Sequence, residues 1–113
     1  MATIDLDFPQ IVQDSIGAAK KELGTSFSKL KPFAEHEFTQ FAENAAFLAK
    51  LKLEGTIGDD ELKARLNIQR LALNNDLLAI EGIGILTAQN IVNDVLDIVT
   101  AAVKKAAQVI LPI

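Results

Sequence analysis

A chain of 113 residues, half of them hydrophobic, is long enough for one modest core; with 15 acidic against 11 basic side chains and a net charge of −4 it has no general attraction to phosphate backbones or anionic lipid. The absence of cysteine excludes disulfides, thiolate nucleophiles and Cys-ligated metals. So high an apolar share is hard to hide inside a compact monomer of this size, and burial between chains is therefore expected.

The acidic start, Met1 to Phe8, has neither a basic nor a long apolar region, so no Sec signal is expected. A first short amphipathic helix is predicted from Pro9 at its opening position, after Asp5 and Asp7. It carries Ile11, Ile16, Ala18, Ala19 and Leu23 to a stop at Gly24. A second helix is predicted from near Ser26 or Ser28, with Pro32 in its first turn, to about Leu53, before Gly55 ends it. Leu30, Ala34, Phe38, Phe41, Ala45 and Leu48 keep three-four spacing along it, and Phe33 and Phe47 are expected to widen this core stripe.

Two glycines and a run of capping residues between Glu54 and Asp60 predict a loop, then a third helix starting near Asp59 or Asp60. Asp59 with Lys63, and Glu61 with Arg65, stand at the i,i+4 spacing of stabilising ion pairs. At 3.6 residues per turn, Leu62, Leu66, Leu73, Leu77 and Ile80 share one side of this helix, while Ile68, Leu71 and Leu78 lie nearly opposite. Both sides call for apolar neighbours.

After Gly82 and Gly84 a long apolar last helix is predicted to about Ile110. Ile85, Ala88, Ile91, Val92, Val95, Leu96, Ile98, Val99, Ala102, Val103, Ala106, Val109 and Ile110 spread over more than half of its circumference, which marks it as a central or interface helix. Asp94, Asp97, Lys104 and Lys105 break the apolar run, so no transmembrane span is expected.

Catalytic patterns are sparse. The single histidine, His36, stands between Glu35 and Glu37, and adjacent helical residues diverge instead of converging on one site. One histidine cannot supply the two Glu-x-x-His pairs of a di-iron bundle. Asp94 and Asp97 fall on the polar strip of the last helix. Asp59, Asp60 and Glu61 are accounted for by a helix start. Neither glycine pair is followed by the Lys-Ser/Thr of a phosphate loop. No enzymatic activity, cofactor or metal is expected.

The stretch from Leu77 to Val92 contains Ile80-Glu81-Gly82-Ile83-Gly84, followed by Thr87, Ala88 and Ile91. It resembles the helix-hairpin-helix motif of non-specific DNA-binding proteins, in which loop glycines let backbone N–H groups approach a DNA phosphate at a helix N-terminus. The resemblance is confined to residues 77–92. It implies that Gly82, Ile83, Gly84 and Thr87 would be the nucleic-acid contacts. Glu81 stands where proline is frequent, and Ile85 and Leu86 where the motif commonly carries Lys or Arg.

The expected fold is all-α: residues 1–113 as a single-domain bundle of about four helices, self-associated through the third and last helices with Leu71, Leu78, Ile91, Val95, Val99 and Val103 at the interface. The expected function is structural, as an assembly or adaptor protein whose partners are copies of itself or other protein subunits, in the cytoplasm or within a larger particle such as a virion. The alternatives are DNA binding through the hairpin, and membrane-surface association through the apolar end Val109-Ile110-Leu111-Pro112-Ile113.

Overall fold

The computed structural model describes residues 5–108 and residue 111, and the regular structure among them is entirely helical. Helix α1 (Phe8–Leu23) opens on Asp7, whose carboxylate accepts a 3.1 Å hydrogen bond from the Gln10 backbone N–H. It closes at Gly24, which takes a positive φ of 57°. Ile11, Val12, Ser15 and Ala19 face inward, and the buried Ser15 hydroxyl donates to the Ile11 carbonyl at 2.8 Å, so it costs no unpaired polar group.

One 3₁₀ turn (Gly24–Ser26) leads directly into α2 (Phe27–Leu53). Because the helix already starts at buried Phe27, Pro32 lies inside it and not in its first turn as the sequence predicts, which removes one backbone donor. Phe38 and Phe41 are buried with a row of alanines, among them Ala34, Ala42, Ala45 and Ala49. Phe33 and Phe47 do not widen this stripe; both are more than half exposed. Phe47 follows Phe38 by nine residues, about two and a half turns, so it points away from the core.

Helix α3 (Asp59–Leu78) is preceded by Gly58 as its cap, while Asp59, Asp60 and Glu61 occupy the first turn, where the helix dipole favours them. The Glu61–Arg65 pair forms at 2.8 Å, whereas Asp59 turns from Lys63 to reach Lys52 on α2 at 2.9 Å. Ile80 falls beyond the helix end, in the turn that follows.

Helix α4 (Ile85–Ala107) buries Ala88, Ile91, Val92, Val95, Leu96, Val99 and Val103. It ends before the predicted limit because Gln108 adopts the left-handed conformation, with its N–H on the Lys104 carbonyl. Val109 and Ile110 lie outside the described residues.

Helix α1 packs on α2 and α4, and α3 packs on the same two helices from the other side. Hydrogen bonding of Asn44 to Gln69 at 2.8 Å, with the Lys52–Asp59 pair nearer the loop, sets α2 and α3 running in opposite directions. Asn90 near the start of α4 meets Glu22 at the end of α1 at 3.5 Å. The interior is one contiguous apolar cluster drawn from all four helices, with Ile57, Ile83 and Leu111 closing its ends. No helix among the described residues is long and apolar enough to cross a membrane.

Candidate functional site

The hairpin of residues 79–84 is built by two different glycine conformations. Gly82 has a φ of 94°, whereas Gly84 is extended at φ −80° and ψ 169° as the N-cap of α4. Ile83 plugs the core beneath them, and its N–H closes the turn on the Ile80 carbonyl at 3.2 Å. Only Gly82 therefore needs the freedom of glycine. Gly82→Ala is expected to destabilise by about 1 kcal/mol or more through the left-handed φ, while Gly84→Ala, whose added carbon meets nothing within 4 Å, should cost less, through the poorer N-cap alone. Thermal melts followed by far-UV circular dichroism check this asymmetry.

At the mouth of this hairpin the first turn of α4 has no side-chain cap, and Ile85 and Leu86 are 67% and 70% exposed. Thr87 is half-buried beside them. The cation nearest Gly82 comes from another helix: Nζ of Lys29 lies 3.2 Å from the point a Gly82 Cβ would occupy. Glu81 is exposed next to it, so the loop presents both signs of charge together with apolar side chains.

The six residues expected at an oligomer interface separate into two groups. Ile91, Val95, Val99 and Val103 are packed inside the chain's own core, where no partner reaches them while the bundle stays folded. Leu71 and Leu78 lie on the outer side of α3, 46% and 36% exposed, in line with Ile68 at 60%. The buried line Leu62, Leu66, Leu73 and Leu77 occupies the opposite side of the helix. Phe47 of α2 joins this outer patch, since it lines a groove with Ile68 and Arg65. Sequence spacing could not reveal that neighbour, which is brought there by the α2–α3 packing.

Between α2 and α3 runs a second, larger groove of about 630 Å³, lined by Lys29, Phe33, Glu37, Asp76 and Ile80 among others. Two carboxyl groups meet there across the helix pair. Burial first, then the hydrogen bond and the negative charge of Asp76, raise the Glu37 carboxyl above its ordinary range, against a smaller opposite pull from His36. A raised folded-state pKa means that the stabilising contribution is complete below the ordinary glutamate value near 4.3 and is lost as pH rises through the raised value. Glu37→Gln keeps a donor toward Asp76 without the charge. It should raise stability at pH 7 modestly, since the site is partly open to solvent, and flatten the dependence of melting temperature on pH in the weakly acidic range.

The remaining acidic and basic groups are dispersed. His36 and Glu35 are exposed on α2, Asp97 is exposed and Asp94 half-buried on α4, and no three potential metal ligands converge among the described residues. Of the apolar end proposed to meet a membrane surface, Leu111 is buried in the core, and residues 109, 110, 112 and 113 lie outside the described residues. The sequence matches no family model and no curated protein, and the fold matches no solved structure.

Proposed function

We propose that the chain is a structural subunit: a bundle of four helices, its apolar last helix at the centre, that assembles with copies of itself through the outer side of α3. The observation that carries this reading is the row of exposed Ile68, Leu71 and Leu78 on a helix whose other side is already buried. A solvated helix face has no use for such a row, whereas one seated on a partner removes it from water at about 25 cal/mol per Å². The proposal needs no cofactor and no reaction. A repeating component of a larger protein particle fits it.

Light scattering at micromolar concentration tests the reading directly. The expected mass is a multiple of the single chain's 12.2 kDa. Leu71→Glu should bring it down to that value while keeping a cooperative melt, at a melting temperature no longer dependent on protein concentration and somewhat below that of the wild type. A wild-type protein of single-chain mass at these concentrations overturns the proposal. Binding to duplex DNA with a clear salt slope, abolished by a substitution at Gly84 that leaves stability intact, would transfer function to the hairpin amides.

A further inference from the structure

The outer side of α3 carries more than apolarity. Ala64, Ile68, Leu71, Asn75 and Leu78, all exposed, follow one another at steps of four, three, four and three residues. That is the seam of a heptad repeat, with Ile68 and Asn75 at the a positions and Ala64, Leu71 and Leu78 at the d positions. The geometry points to a parallel, two-fold pairing of α3 with α3 of a second copy, its register set by Asn75. This pairing rests on the assembly reading above and names its occupant.

Three observations select a second copy in this orientation. A β-branched residue at a with leucine at d favours two parallel strands. Asn75 stands between Leu71 and Leu78 in the exposed line, where an in-register parallel copy sets its amide against the partner's amide, each with donors and an acceptor to offer. A slipped register would bury that amide against Ile68, Leu71 or Leu78 without a partner, at the cost of a lost hydrogen bond and its desolvation. Charge points the same way. Asp60 falls at g and Arg65 at the following e, so parallel pairing brings Asp60 of each copy to Arg65 of the other, whose Nε already holds Glu61 of its own helix at 2.8 Å and whose terminal guanidinium nitrogens serve the second carboxylate, twice by symmetry.

Two heptads are too few to hold isolated peptides together. Here the helix is prefolded, because Leu62, Leu66, Leu73 and Leu77 already anchor its other side, so pairing carries no helix-forming cost. Ala72 and Ala79, exposed beside the seam, leave room for close approach, and Phe47 extends the covered patch on the α2 side.

The absence of cysteine allows the orientation to be read by cross-linking. Ala64→Cys and Leu78→Cys place single thiols at two d positions fourteen residues apart, about 21 Å along the helix. In the parallel pairing each thiol meets its own copy within disulfide reach, so both variants should become mostly covalent dimers on mild oxidation. Their melting curves before oxidation report that the fold is kept. An antiparallel pair can self-link at no more than one of the two sites. If light scattering shows an oligomer but one or both sites fail to link, the parallel α3 seam is wrong and the assembly reading stands. A wild-type chain of single-chain mass overturns both.

Discussion

Val95→Asp should abolish the cooperative folding of this chain at neutral pH. Val95 is completely buried in α4 and contacts the core on a helix that packs against all three others. A carboxylate there has no counter-charge prepared for it, and burying it unpaired costs several kcal/mol or forces it to take up a proton. Against a total stability of about 5–15 kcal/mol for a domain, that loss is enough to populate the unfolded state. Far-UV circular dichroism should show lost helicity and no sharp melt at pH 7, with partial recovery as acid neutralises the new group. Leu71→Asp supplies the contrast: the same charge on the exposed side of α3 should change the stability of the monomer by no more than about 0.5 kcal/mol. A wild-type melt for Val95→Asp would mean that α4 is solvated along that side.

Phe38→Ala carries the second large effect. Phe38 is fully buried at the middle of α2, and truncating a buried phenylalanine costs about 3–5 kcal/mol through lost burial and the cavity left behind. At about 4 °C per kcal/mol for a domain of this length, the melting temperature should fall by roughly 12–20 °C. Phe47→Ala, which removes the same atoms from an exposed position, should cost less than about 1 kcal/mol in the monomer. With no tryptophan or tyrosine in the chain, circular dichroism is the suitable probe. Equal losses at the two positions would place Phe47 inside a persistent interface, in which case the melts would also depend on protein concentration.

The carboxyl pair and the hairpin show where reading along the chain stops. Glu37 and Asp76 are 39 residues apart, and nothing local marks them as neighbours; the meeting of α2 and α3 alone raises the Glu37 pKa. The choice of Lys52 over Lys63 by Asp59 has the same origin. The two glycines of the hairpin are equivalent in sequence, yet one takes a positive φ and the other an extended one, because Ile83 between them must drop into the core.

The all-helical class and the limits of most helices are legible from the order of residues along the chain. Those rest on short-range physics: Asp7 bonding a backbone N–H three residues on, Gly24 accepting a left-handed conformation, acids at the start of α3, and apolar residues recurring at the helical period. That order also gives α3 two apolar sides. Which side the chain keeps for itself follows from how the helices pack. Once the Leu62–Leu77 line is seated against α2 and α4, a helix of 3.6 residues per turn must present Ile68, Leu71 and Leu78 outward. The same packing consumed Ile91, Val95, Val99 and Val103 inside one chain, because a helix touching three neighbours has most of its circumference covered.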